Sequence, residues 1–333
     1  MKSNAIIDSG LSDDVLLTIA IPTYKRFDLL KETLRSVFAL KFNIPIEIII
    51  VDNDPASVKL ALSEMDEFKN QKFTYYKNIE NYGMFDNWNQ CLNLGRGRLI
   101  TILHDDDLLN SNFATELESY LSKEERVRPI EFISFGSYIL EQRVTELNAD
   151  GNILYILGKK IFKVLSKWKH SFKKDSDITC VNLRDIFWSN PFTGTLAIVM
   201  DREKALRLGG FDANLYPVAD YDFWIRWIQN YGTLKRKNIK VAQYRILEND
   251  SLKPETASAM INSNLNLRTR MILENQDLSV KRSDAYLIKK MEKITNHIRN
   301  RKVGHKVSSY DVANFYWLMI KYNVIKLYRL KKL

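Results

Sequence analysis

Apolar positions along the chain follow two alternating periods. Residues 16–21 (LLTIAI) form a nearly continuous apolar run closed by Pro22, which cannot donate to a sheet ladder. Residues 46–51 (IEIIIV) form a second run, rich in β-branched side chains. Both predict buried strands. Between them Leu30, Leu34, Val37 and Phe38 recur at helical spacing, and Asp28 stands where a helix would be capped. The alternation continues with a helix over 57–68, a strand over 73–76 and a helix over 84–94 that Gly95 stops. A strand over 99–103 and a helix over 112–121 follow. Further strands are expected over 131–140 and 196–200, and helices over 202–208 and 220–231. From Pro254 onward the pattern is helical with few breakers. Strands alternating with helices imply βαβ crossovers and a mostly parallel α/β sheet covered on both faces.

Such sheets bind ligands beyond the carboxyl ends of their strands. The first strand runs into Thr23-Tyr24-Lys25-Arg26, the second into Asp52-Asn53-Asp54 and the third toward Asn78, Asn81 and Gly83. The fourth runs into His104-Asp105-Asp106-Asp107. Adjacent carboxylates in a poorly hydrated cleft repel one another unless a cation sits among them. A divalent ion with oxygen ligands removes that cost, and Mg²⁺ or Mn²⁺ shares its coordination with substrate phosphates. The other reading is a helix cap or a solvated turn. Asp52 can accept hydrogen bonds from a nucleobase or ribose, or can serve an Asp-Asn-Asp-Pro turn. Asp220 and Asp222 open a helix, as charges favouring its N-terminus or, for Asp220, as a general base.

Composition narrows the class. The chain has 333 residues, 45% hydrophobic and 27% charged, which excludes a disordered or fibrous chain. Its length suggests about two domains, or one large domain with an appendage, and a core that needs no disulfide or metal staple. Cys91 and Cys180 show no zinc or disulfide spacing, and a reducing compartment is expected. Residues 1–15 carry Asp8, Asp13 and Asp14 and no apolar stretch, so no signal peptide is expected. No uncharged apolar run approaches the roughly 18 residues of a membrane span. The net charge of +10 is concentrated in 281–333, where 14 Lys and Arg face 3 acids (Asp284, Glu292 and Asp311). Residues 158–174 hold seven lysines and no acid, the pattern of a solvated loop or a mobile flap.

The segments LLTIAIPTYKRFDLLKETLRSVF, EIIIVDNDP and NYGMFDNWNQCLNLGRGRLITILHDDDLL resemble the nucleotide-binding half of glycosyltransferase family 2. The stretch FTGTLAIVMDREKALRLGGFDANLYPVADYDFWIRW resembles that family's acceptor half. The likeness extends over about 16–250 and includes several segments in the family's order. It implies a GT-A fold, a nucleotide-diphospho-sugar transferase fold with a mostly parallel central sheet flanked by helices, here with a helical C-terminal extension. The implied division is a catalytic domain over 1–250 (nucleotide half 16–107, acceptor half 190–250) and a basic extension over 251–333. It further implies an inverting, metal-dependent transfer from a nucleotide sugar, most commonly a UDP-sugar, to a hydroxyl of a glycan or lipid-linked acceptor in cell-surface polysaccharide synthesis. By the same resemblance Thr23, Tyr24, Arg26 and Asp52 hold the base and ribose. Asn81, Gly83 and Asn87 lie beneath the nucleotide. Asp105 and Asp106 fall on the metal motif, Asp106 being the direct ligand and Asp107 its neighbour. Asp220 is the base. The sequence departs from the family pattern at His104, Ala219 and Leu247.

A sugar nucleotidyltransferase would carry a Gly-rich phosphate loop after the first strand, and a dinucleotide oxidoreductase a G-x-G-x-x-G turn. Pro22 to Arg26 is neither. A catalytically silent nucleotide-binding or scaffold protein of the same fold is the remaining alternative. In 281–333 basic residues interleave with Tyr286, Tyr310, Phe315, Tyr316, Trp317, Tyr322 and Tyr328. Two readings stand: peripheral contact with an anionic membrane near a lipid-linked acceptor, or aromatics packed on the catalytic domain beneath solvated lysines. No nucleic-acid motif is present. A cytoplasmic protein at the inner face of the plasma membrane is the corresponding expectation.

Overall fold

The computed structural model describes residues 1–8, 10, 14–56, 58–124, 131–142, 178–247, 252–299 and 308–330. The lysine-rich segment 158–174 lies outside them. The described residues fall into two compact units. The first comprises Met1–Glu141, Ile178–Asn182 and Pro191–Ile246, and the second includes Leu183–Asn190 and the described part of Leu247–Leu333.

The first unit is built on one sheet. Its strands are β1 (Ser3–Asp8), β2 (Leu17–Thr23), β3 (Ile46–Asp52), β4 (Thr74–Asn78), β5 (Leu99–Ile102), β6 (Leu108–Leu109), β7 (Phe132–Glu141), β8 (Ile178–Val181), β9 (Ile198–Asp201) and β10 (Leu234–Ile246). The order is β1-β4-β3-β2-β5-β9-β7-β10-β6, with β8 beside β10. The central run β4-β3-β2-β5 is parallel throughout. Antiparallel pairings flank it, and β7 and β10 pair in parallel. Both β2 and β3 are buried nearly end to end, as their apolar runs require. Helices α1 (Phe27–Phe38), α2 (Val58–Met65), α3 (Met84–Leu94) and α4 (Phe113–Glu124) connect the strands of this half. Leu30, Leu34 and Val37 of α1 enter the main core with Ile19, Ile21 and Ile50.

Two local expectations are corrected. Asp28 does not cap α1: the N-cap position is Arg26, and Asp28 acts by charge from the first turn. Pro22 lies inside β2 and does not end it. The ladder with β5 has already closed at the Ala20–Ile102 pair, so an N–H is not needed there. Strands β1 and β10 carried no readable apolar pattern. Residues of β10 are mostly half-buried, and the strand is held by three partners rather than by an apolar run.

Register positions the rim. Thr23 pairs with Asp52, and Asp52 with Lys77, so three strand ends finish level. Short β6 pairs antiparallel with β10 through Ala242–Leu109 and Gln243–Leu108. The acidic run 105–107 is thereby stretched between β5 and β6, with Arg245 alongside it.

The second unit is helical. It contains α5 (Leu183–Trp188), α8 (Pro254–Glu274), α9 (Arg282–Arg299) and α10 (Ser309–Leu330). Helices α6 (Arg202–Arg207) and α7 (Ala219–Tyr231) belong to the first unit. Leu287 and Ile294 of α9 pack with Leu318, Phe315 and Tyr322 of α10. The Tyr322 hydroxyl donates to the Trp188 carbonyl at 2.7 Å, and Arg329 pairs with Asp284 at 3.1 Å. Phe315 and Tyr322 thus pack within this unit, whereas Tyr286, Tyr310, Trp317 and Tyr328 are exposed.

Candidate active site

Three groups of polar residues line the carboxyl ends of the central strands. At the end of β3, the buried Asp52 carboxylate takes donors from Lys77 Nζ at 2.6 Å, the Tyr75 hydroxyl at 3.0 Å and the Asp54 backbone N–H at 2.9 Å. Tyr75 and Lys77 alternate on one face of β4, and Lys77 is directly opposite Asp52 in the ladder. Burial, together with the Asp52 charge, pushes the Tyr75 phenol far up.

An asparagine cluster forms the second group. Asn53 Nδ2 donates to Asn81 Oδ1 at 2.8 Å and to the Gly83 carbonyl at 3.0 Å. Asn87 accepts from Asn78 at 2.9 Å and donates to the Val51 carbonyl at 3.0 Å. Gly83 precedes α3 with φ +82°, a conformation glycine adopts without strain. Asn81, Gly83 and Asn87 therefore tie β3, β4 and α3 together at the rim.

The third group is the acidic run. Thr23 Oγ1 donates to Asp105 Oδ2 at 2.8 Å, and Arg26 forks between Asp105 and Asp106, meeting the latter at 2.9 Å. Burial pushes the Asp105 carboxyl up to about 6, opposed by Arg26 and reinforced by Asp106. Asp107 is fully buried. Its Oδ1 accepts the Arg245 backbone N–H at 2.9 Å, and its carbonyl accepts the Thr33 hydroxyl at 2.8 Å. The Arg245 guanidinium donates to the Asp106 carbonyl at 2.7 Å and to Glu32 at 2.5 Å. Asp107 Oδ2, by contrast, is buried with no hydrogen-bond partner. Burial and then the Asp106 charge drive the Asp107 carboxyl well above the usual range.

His104 Nδ1 faces that oxygen at 3.6 Å. The imidazole stacks on Trp88, with centroids 4.7 Å apart, and its Nε2 lies 3.1 Å from Thr195 Oγ1. Thr195 donates its one hydroxyl proton to the Ile102 carbonyl at 2.9 Å. Its oxygen must therefore accept from His104 Nε2–H, which leaves Nδ1 an unprotonated acceptor. Burial lowers the His104 pKa and keeps the ring neutral. Gly194 has φ +56°, and a Cβ there would lie 3.1 Å from His104 Cε1, so the turn that orients this ring needs glycine. Ligand atoms of His104, Asp106 and Asp107 all lie within 4.8 Å of one another. An orphaned carboxylate oxygen facing an imidazole lone pair is a donor set that fits a divalent cation.

Asp220 is half-buried in the first turn of α7, where burial pushes its carboxyl up to about 6. Among the described residues no hydrogen bond or ion pair joins it to 104–107. A row of rings connects the two regions: His104 on Trp88, Trp88 against Phe211 at 5.3 Å, and Phe211 stacked on Phe223 of α7 at 4.4 Å.

The structure thus brings Thr23, Arg26, Asp105 and Asp106 together, while Asp52 and the asparagines occupy separate clusters. Asp105, expected as a second metal ligand, faces Thr23 and Arg26, and the compact donor set is completed by His104 and Asp107. Tyr24 is exposed at the rim. Sequence reasoning passed over Lys77, Thr195 and Arg245 as site residues. The alternation of Tyr75 and Lys77 beside an Asp-ended strand is the one signal that pointed to any of them.

The strand order and the polar rim define the class by fold: an α/β unit of the GT-A type. Similar solved structures include residues 1–349 of TarS from S. aureus in complex with UDP-GlcNAc, at TM-score 0.52 and 13% identity over 92% of this chain and 80% of that one. The mannosyltransferase PcManGT from Pyrobaculum calidifontis, solved with GDP-Man and Mn²⁺, has TM-score 0.51 and 14% identity over 94% of this chain and 84% of that one. In sequence, an uncharacterised glycosyltransferase of Methanocaldococcus jannaschii is 25% identical over 73% of this chain and 74% of its own length. Residues 18–149, a segment that contains Thr23, Asp52 and the 104–107 run, match the model of Glycosyl transferase family 2.

Proposed function

We propose that the protein transfers a sugar from a nucleoside-diphosphate donor, UDP being the expected nucleotide, to a hydroxyl of a glycan or lipid-linked acceptor with inversion, in the building of a cell-surface polysaccharide. The observation that carries this reading is the gap between His104 Nδ1 and Asp107 Oδ2, two acceptors 3.6 Å apart beside Asp106. His104, Asp106 and Asp107 would hold Mn²⁺ or Mg²⁺, which when bound supplies positive charge against the departing diphosphate. That TarS was solved with UDP-GlcNAc and PcManGT with GDP-Man and Mn²⁺ supports the same donor chemistry.

The chain's own residues supply the rest. Thr23 fixes Asp105, and Arg26 places its guanidinium at the mouth of the acidic run. The exposed Tyr24 ring and the rim around Asp52 offer a surface for base and ribose. Asp220 is the general base: held near 6, it is ionised at neutral pH yet basic enough to accept a hydroxyl proton. The acceptor oxygen bonds to the anomeric carbon as the carbon–phosphate-oxygen bond breaks, and the proton passes to Asp220. One displacement needs no enzyme nucleophile. Isothermal titration with UDP, with and without Mn²⁺, tests the reading: an affinity gain of about tenfold or more is expected with the ion. Equal affinities would overturn it. Hydrolysis of a panel of nucleotide sugars then identifies the donor.

A further inference from the structure

Helix α10 is apolar on two opposite faces. One packs on α9 through Phe315, Leu318, Tyr322 and Ile325. The other carries Tyr310, Trp317, Ile320, Val324, Leu327 and Tyr328 at i, i+7, i+10, i+14, i+17 and i+18, one continuous stripe on a helix of 3.6 residues per turn. All six are exposed: Trp317 at 58% and Ile320 and Val324 at 61% each. Contiguous apolar surface of this kind marks a place where something binds.

Charge indicates what binds. Lys321 borders the stripe with its Nζ 4.9 Å from the Trp317 ring centroid. Residues 281–333 carry 14 basic and 3 acidic side chains. Two copies meeting through this face would bring two such basic segments together, which disfavours self-association. An anionic lipid surface suits every element: apolar groups reach the acyl boundary, Tyr and Trp prefer the interface, and lysines meet the headgroups. No helix among the described residues is long and apolar enough to cross a membrane, so α10 would lie along the surface. We infer that the exposed face of α10 docks the protein on an anionic lipid bilayer.

The inference is independent of the transferase chemistry, and its test separates the two. Full-length protein is floated with vesicles of phosphatidylcholine and phosphatidylglycerol in equal parts, and with phosphatidylcholine alone. Flotation is expected with the anionic vesicles and is expected to weaken as salt is raised. The double variant Trp317→Ser/Val324→Ser, whose sites lie on the exposed face, is expected to bind those vesicles about tenfold more weakly with unchanged donor hydrolysis and melting temperature. Lys321→Glu should separately reduce the preference for anionic lipid. Equal flotation of wild type and double variant overturns the proposal, as does equal binding to the neutral vesicles. A vesicle-free dimer that the double variant abolishes would assign the face to a second copy and overturn it too.

Discussion

Asp52 ends β3, Asp107 lies in the turn beyond β5 with β2 between the two strands, and both are buried, yet the protein treats them in opposite ways. Asp52 is met by a buried lysine, a phenol and a backbone N–H. Asp107 receives one backbone N–H on Oδ1, and Oδ2 is left facing the lone pair of a neutral imidazole. A buried carboxylate without a cation costs several kcal/mol by desolvation. At Asp52 the chain supplies the cation itself, and the result is a brace. At Asp107 no side-chain cation among the described residues meets Oδ2, which leaves room for the external ion proposed above. Burial alone therefore does not distinguish a structural carboxylate from a functional one, whereas the completeness of its donor set does.

Substitutions on each side can break this contrast. The largest effect is expected from Asp106→Ala: sugar transfer should fall by about 10³-fold or more, with the melting temperature essentially preserved. An active Asp106→Ala enzyme would remove the acidic run from the chemistry. Next comes Asp220→Asn, expected to lower kcat by about 10² to 10⁴. In the wild type, turnover should decline as pH falls through about 6, because the base must be ionised. The stability sign is opposite. A carboxyl raised on folding stabilises the fold at low pH and loses that contribution as pH rises through about 6, so Asp220→Asn should melt higher than wild type at pH 7, by on the order of 1–2 kcal/mol.

Stability measurements address the two aspartates directly. Lys77→Met strands Asp52 in the core and is expected to cost about 3–5 kcal/mol in chemical or thermal unfolding. Asp107→Asn relieves the burial penalty on that carboxyl and places an amide where it can donate to His104 Nδ1. The metal-free protein should then gain on the order of 1–3 kcal/mol. Manganese should raise the melting temperature of the wild type, by about 2.7 kcal/mol in stability at a hundredfold excess over Kd, and leave Asp107→Asn unmoved. If Asp107→Asn destabilised the protein as much as Lys77→Met, the two sites would be equivalent and the distinction would fail.

Much of the parallel half could be read before folding was considered. Runs such as IEIIIV are apolar because both faces of their strand are covered, and their ends mark the rim. Strand β10 was not legible, since five of its thirteen residues are Lys or Arg and its support comes from three neighbours rather than from its own pattern. The second-unit aromatics were visible as a set, but not their division into inward Phe315 and Tyr322 and outward Trp317 and Tyr328. Position 104 was visible as a departure from the family pattern, but not as an acceptor, because its tautomer is set by Thr195 and the Ile102 carbonyl.

The succession of strands and helices along the parallel half, the placement of carboxylates after its strands and the basic, aromatic-rich terminal segment follow from the sequence alone, because hydrophobic period and side-chain type are local properties. Which aspartate receives a lysine, which is left open and which histidine nitrogen keeps its lone pair were decided only by tertiary structure. Those outcomes depend on register between strands that are distant in the chain, as with Asp52 opposite Lys77 and Arg245 beside Asp107. A desolvated charge is governed by the few atoms within hydrogen-bond reach, and only the folded chain determines which atoms those are.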